Sequence, residues 1–376
     1  MKIGVPKESL AGERRVALVP EAARGLVKGG LEVGVEAGAG DSAFFSDAVY
    51  IDAGAKVTDA ATALGSDAVL KVQPPTPDEV GRLRAGAVLI SFLQPATNAD
   101  VVSALAKQKV SAFSLDLVPR ISRAQSMDAL SSQAGIAGYK SVLLAANHLP
   151  KFFPLLMTAA GTVAPARVLV MGAGVAGLQA IATSRRLGAV VEAYDVRPAV
   201  KDEVHSLGAT FLELPLEAQE GTGGYAREQS EDFLRRQREL IGDRVAASDV
   251  VITTAAIPGR KAPILVTADM VRRMRPGSVI VDLAAETGGN CELTKPGEII
   301  QVGGVTIDGT RNLPSMMPVH ASQLYSKNVS TLLLLLVKDG TLKLDFNDEI
   351  VKGACVTYDG AIVNARAKEL VEAARK

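Results

Sequence analysis

Tryptophan is missing from this chain altogether, and aromatic residues together make up only 4% of its 376 positions. A core of any size must therefore be assembled from Ala, Val, Leu and Ile, a mixture that suits layered helices and sheets, and the length is ample for two domains. Cysteine occurs twice, at Cys291 and Cys355, which gives neither a disulfide framework nor a zinc spacing. No metal site is expected, and a reducing, cytoplasmic setting fits. Net charge is missing too, because 41 basic residues balance 41 acidic ones, and this argues against nucleic acid or a bare membrane surface as a partner. No basic, then apolar, leader opens the chain, so no secretion signal is read. The densest aliphatic run, Leu332 to Val337, falls far short of the about 20 residues of a spanning helix. It reads as part of a packed helix in a soluble protein, one suited to burial at a subunit contact.

What is present is alternation. Strands are predicted at 2–5, 31–36, 68–72, 87–92 and 110–115, with helices at 20–28, 47–53 and 98–107 between them. A second series follows, with strands at 168–171, 189–194, 210–213, 250–254, 278–282 and 305–308 and helices at 175–187, 201–207 and 267–273. Strands parted by helices indicate βαβ units and parallel sheets. The expected fold is α/β, with two Rossmann-like doubly wound parallel-sheet domains. Residues 1–132 plus 312–376 form one and 133–311 the other. The stretch 215–224, rich in Glu, Gly and Thr and without periodicity, reads as a mobile loop, followed by a charged helix over about 227–240. From Leu313 the pattern is helical through Val337 and then turns into a polar, hairpin-like tail.

Only the second domain carries a glycine fingerprint. The apolar run Val168–Met171 leads into Gly172-Ala-Gly174-Val175-Ala176-Gly177, a G-x-G-x-x-G that opens a helix. Gly172 permits the tight turn, Gly174 leaves the backbone bare for a pyrophosphate at the helix N-terminus, and Gly177 lets helix and strand pack closely. The next strand ends in Asp195, about 20 residues on, where the motif places a carboxylate for the adenosine ribose hydroxyls. Such an acid repels a 2′-phosphate, so the pattern indicates NAD(H) rather than NADP(H). Arg197, next to Val196, is placed to soften that repulsion.

Three stretches together resemble one family: Arg120-Ile-Ser-Arg-Ala-Gln-Ser-Met-Asp128, the fingerprint from Gly172 to Ala180, and Asp282-Leu-Ala-Ala-Glu-Thr-Gly-Gly-Asn-Cys291. They are similar to the NAD(H)-binding alpha component of the proton-translocating, Re/Si-specific NAD(P) transhydrogenases. The resemblance implies hydride exchange between NADH and NADP(H) held by a separate beta subunit, coupled to proton translocation. It also implies a membrane-spanning alpha polypeptide as a further partner, a homodimer, and a peripheral place on the inner face of the plasma membrane. By the same resemblance Arg120, Gln125, Asp128 and Ser131 serve the nicotinamide end, Gly224 and Tyr225 belong to a lid, and Gln237, Thr254 and Ala256 border the nucleotide. Simpler readings stand beside these: Asp128 as a helix cap paired with Arg120, and Tyr225 as a locally packed loop residue.

Alanine dehydrogenases share this alternation and supply the rival reading. Arg15 and Lys71 match that family's substrate-binding positions. Gln94 stands where it has a catalytic His and Glu286 where it has a catalytic Asp, and Gln cannot act as a general base. His148, His205 and His320 fall outside the matching site. A third possibility is a redox sensor that binds NAD(H) without turnover.

Overall fold

The computed structural model of the chain describes residues 1–213, 231–256 and 261–374. These divide into two compact units, one formed by Met1–Gln133 with Ser315–Lys376 and the other by Ala134–Pro314. The predicted loop at 215–224 lies outside the described residues.

In the first unit, strands β1 (Lys2–Val5), β2 (Glu32–Glu36), β3 (Lys56–Thr58), β4 (Ala68–Leu70), β5 (Val88–Ser91) and β6 (Ser111–Ser114) form a parallel array ordered β6-β5-β4-β1-β2-β3. β4 and β5 are buried along their whole length, as strands covered on both faces must be, which explains why they are apolar throughout except for Ser91 at the end of β5. Helix Pro20–Lys28 opens with Pro at its first position, where the missing N–H costs nothing. Helices Ala60–Leu64 and Pro77–Arg82 are too short to show an apolar period, and the second is set by a capping box between Thr76 and Glu79.

The second unit begins with most of helix Ala129–His148 and a small hairpin, β7 (Leu156–Thr158) and β8 (Gly161–Val163). Its main sheet comprises β9 (Arg167–Met171), β10 (Val190–Tyr194), β11 (Thr210–Phe211), β12 (Val250–Thr253), β13 (Val279–Asp282), β14 (Ile299–Val302) and β15 (Val305–Asp308), in the order β11-β10-β9-β12-β13-β15-β14. All neighbours are parallel except β14, which folds back antiparallel on β15. The charged helix predicted at 227–240 is described over Glu231–Ala247.

The chain then returns to the first unit, and here the sequence reading needs correction. The helical stretch from Leu313 is a 3-10 turn, Leu313–Met316, followed by a separate helix, Pro318–Leu336, because Pro318 starts a new helix. Leu332, Leu333 and Leu336 are fully buried in this unit's own core, so most of the leucine run is not left for a subunit contact. The tail is more than a hairpin. After the short pair β16 (Val337–Lys338) and β17 (Thr341–Leu342) come helix Glu349–Ala354, strand β18 (Cys355–Tyr358), strand β19 (Ala361–Ile362) and helix Ala365–Ala374. β18 pairs antiparallel with β6 and β19 with β18, which completes an eight-stranded sheet.

Candidate functional site

In the second unit, Gly172, Asp195 and Thr254 follow the carboxyl ends of adjacent strands β9, β10 and β12. Gly172 has φ 102°, a left-handed conformation, and a Cβ there would lie 2.5 Å from Thr254 Oγ1. A Cβ on Gly177 would lie 1.8 Å from the Gly172 carbonyl oxygen, so the helix could not seat on the strand. Gly174 differs from both, since the nearest atom to its missing Cβ is Arg197 Nη2 at 4.0 Å. It caps helix Val175–Arg186 without bringing a side chain to the first turn, and the N–H groups there, including those of Val175 and Ala176, have no partner within the helix. The result is a bare turn with positive partial charge, open enough and of the polarity for a pyrophosphate.

Asp195 is 9% exposed, and its carboxylate accepts from the Ala173 N–H at 2.7 Å, which ties the end of β10 to the fingerprint turn. Arg197 approaches the same carboxylate with its backbone N–H, Nε and Nη2. Val196 is half-buried against the apolar cluster on one face of this sheet. Thr254 donates its hydroxyl to the Gly172 carbonyl at 3.0 Å, while Ala256 is exposed. Gln237 lies on helix Glu231–Ala247, is 1% exposed, and neither of its amide atoms has a hydrogen-bond partner among the described residues. Burial pushes the phenol of neighbouring Tyr194 up to about 12. A buried amide with both ends unpaired is costly, and it is the kind of orphan that a ligand satisfies. Gly224 and Tyr225 lie outside the described residues.

Two residues given no role by the sequence reading hold this end of the sheet together. Asp282, 1% exposed, accepts from the N–H groups of Ala284, Asn290 and Cys291 and from the hydroxyls of Thr253 and Thr294. The Asn290 side chain accepts from the Ala255 N–H at 3.0 Å and donates to the carbonyls of Ala255 and Pro263, both at 2.8 Å. The turn bearing Thr254 and Ala256 is thereby fixed from below. The Gly288-Gly289-Asn290 run, which closes the 3-10 turn Ala285–Thr287 beyond strand β13, is the signal that could have found it.

In the first unit, the segment Ser122–Met127 is a 3-10 helix whose Ala124 and Met127 are buried and whose Gln125 is exposed, as is Arg120. Asn328 donates to the Ser126 carbonyl at 2.8 Å, and Arg123 forms a two-point ion pair with Asp348. Asp128 accepts from the Ser131 N–H at 2.9 Å and its hydroxyl at 2.6 Å, so it caps the start of helix Ala129–His148.

The carboxyl end of the first unit's sheet is filled by its own charges. Arg15, 4% exposed, is gripped by Glu13 through Nε and Nη2 and by Gln133 through Nη1. Burial alone would raise the Glu13 carboxyl, but hydrogen bonds and charge from Arg15 hold it down at about 2. Lys71, fully buried, lies 3.4 Å from Glu8 and 3.2 Å from Glu79. Gln94 is exposed with φ 46°, its N–H donating to Asp116. In the second unit, the Glu286 carboxylate accepts from the Asn312 N–H at 2.7 Å.

The descriptions "Alanine dehydrogenase/PNT, N-terminal domain" and "Alanine dehydrogenase/PNT, C-terminal domain" match residues 4–137 and 141–365. The chain belongs to the alanine dehydrogenase/PNT family. Within that family it is 51% identical to an NAD(P) transhydrogenase subunit alpha polypeptide of Rhodospirillum rubrum, over 97% of this chain and 98% of the relative. A solved transhydrogenase from Sinorhizobium meliloti superposes with a TM-score of 0.89 at 46% identity, covering 96% of this chain and all (100%) of that one. A solved L-alanine dehydrogenase superposes with a TM-score of 0.85 at 29% identity, covering 100% of both chains. The shared α/β architecture thus spans both branches of the alanine dehydrogenase/PNT family, and identity is higher to the transhydrogenase branch.

Proposed function

We propose that the chain is the NAD(H)-binding component of a proton-translocating NAD(P) transhydrogenase. It passes hydride between NADH and NADP(H) held by a beta subunit, with a membrane-spanning alpha polypeptide completing the assembly. The observation that carries this reading is the bare Gly174 turn facing the Asp195 carboxylate, in a chain about half identical to a transhydrogenase alpha subunit. No helix among the described residues is long and apolar enough to cross a membrane, so attachment to the inner face of the plasma membrane would run through partner subunits. A homodimer is part of the same proposal.

In this reading Gly172, Gly174, Val175, Ala176 and Gly177 cradle the pyrophosphate. Asp195, Val196 and Arg197 hold the adenosine ribose side, with Gln237, Thr254 and Ala256 bordering the nucleotide. Arg120, Gln125, Asp128 and Ser131 serve the nicotinamide end, with Asp128 acting through the Ser131 cap, and Gly224 and Tyr225 form the lid. Bound NADH supplies the hydride. The protein's residues need only hold and orient it, so neither a nucleophile nor a metal is required.

The rival amino-acid dehydrogenase reading loses its two supporting residues to local pairing, since a substrate carboxylate would have to displace Glu13 from Arg15 and the two carboxylates flanking Lys71. The test is hydride exchange between NADH and an NADP⁺ analogue, with and without a separately made beta component. Exchange should require the partner. Gln125→Asn should slow it roughly 100-fold at saturating NADH, because a displacement of about 1 Å costs that much, while the NADH dissociation constant stays within about threefold. Alanine oxidation by the chain alone at an enzymatic rate would reverse the assignment, and NADH binding without exchange in the presence of the partner would favour a sensor.

A further inference from the structure

A carboxylate has about four acceptor positions, two on each oxygen, and on Asp195 all four are taken. Oδ2 accepts from the Ala173 N–H at 2.7 Å and from Arg197 Nη2 at 2.9 Å. Oδ1 accepts from the Arg197 backbone N–H at 2.8 Å and from Arg197 Nε at 2.9 Å. Two of these donors are backbone groups fixed by the end of β10 and the glycine turn. The other two belong to one guanidinium on a rotatable side chain. The Arg197 side chain is 15% exposed, and its Nη2 is also the atom nearest to the open side of Gly174.

We propose that Arg197 is a displaceable counter-ion that fills the Asp195 carboxylate and sets the choice between NADH and NADPH. The inference rests on the reading that Asp195 receives the adenosine ribose. A ribose diol brings two hydroxyl donors, which replace Nε and Nη2 one for one and leave both backbone bonds intact. A 2′-phosphate brings only acceptors near neutral pH and above, so it cannot make that exchange. The carboxylate that would repel it is, however, already neutralised by a two-point ion pair. Selectivity therefore depends on two effects of one arginine that act in the same direction. It competes with the ribose of NADH, and it shields the phosphate of NADPH from Asp195. Removing its charge and donors strengthens discrimination, the reverse of what removing Asp195 does.

The experiment is calorimetric titration of NADH and NADPH into the full chain and into Arg197→Met, Arg197→Lys and the double variant Asp195→Asn, Arg197→Met. In Arg197→Met the ratio of NADPH to NADH dissociation constants should rise at least about tenfold, since an unshielded charge faces the phosphate at close range. Arg197→Lys, which keeps the charge but not the fork, should stay within about threefold of the starting ratio. The double variant carries neither charge, remains informative if the single one does not fold, and should bring the ratio close to one. A ratio that is unchanged or lower in Arg197→Met overturns the proposal, and so does a double variant that keeps full selectivity. If the unsubstituted chain binds neither nucleotide, the reading of the site fails and this inference with it. If it binds NADH normally but the ratio ignores Arg197, only the inference fails.

Discussion

Both units end their parallel strands in a row of polar side chains, but they finish those ends in opposite ways. In the first, Glu8, Glu13, Arg15, Lys71 and Glu79 satisfy one another in the interior. In the second, Gly174 leaves the turn bare and the Gln237 amide is buried without a partner among the described residues. A sheet end whose charges are internally paired is a structural element. A sheet end with open backbone N–H groups and an orphaned amide is set up for a ligand, and the difference lies in a few side chains rather than in topology.

The largest effect that would sharpen this contrast is expected from Lys71→Met. It leaves Glu8 and Glu79 buried without their shared cation, and removing one partner of such a cluster costs about 3–5 kcal/mol. Denaturant unfolding should show that loss while NADH affinity is unaffected. A variant as stable as the parent would mean that the cluster is not the self-satisfied element described here.

A smaller effect concerns acid. The folded Glu13 carboxyl sits at about 2, below its ordinary 4.5, so its contribution to stability is fully present above 4.5 and is lost as pH falls toward 2. Glu13→Gln lacks that contribution at every pH. Its melting temperature should be lower than the parent's at pH 7, and the gap should narrow between pH 4.5 and 2. A gap that stays constant across that window would remove Glu13 from the pairing.

Much of the fold was legible because parallel strands covered on both faces read as short apolar runs, as at Val168–Met171 and Val279–Val281. The short pieces were not. Lys56–Thr58 and Ile299–Val302 lack a continuous apolar run, and the tail strand Cys355–Tyr358 owes its place to pairing with Ser111–Ser114, far away in sequence. At the candidate site, Gly172, Gly174, Gly177 and Asp195 could be named because backbone geometry demands those residue types at that spacing. The grip of Arg197 on Asp195 depends on a rotamer, and the pairing of Arg15 and Lys71 depends on tertiary neighbours. No local pattern announces either. Asn290, though within the stretch that carries the resemblance, gives no local sign of its role for a related reason, because its side chain acts on a turn that belongs to a different strand.

The central claim, that one sheet end is open for NAD(H) and the other is closed, is tested most directly by calorimetric titration of NADH into the parent chain and into Gly174→Asp. A Cβ at Gly174 meets nothing closer than 4.0 Å, so the substitution fits the fold while placing a carboxylate where the pyrophosphate must sit. One NADH per parent chain is predicted, with binding weakened at least about 100-fold in the variant and melting temperatures within about 2 °C of each other. A second NADH per chain, or parent-like affinity in Gly174→Asp, would contradict the account.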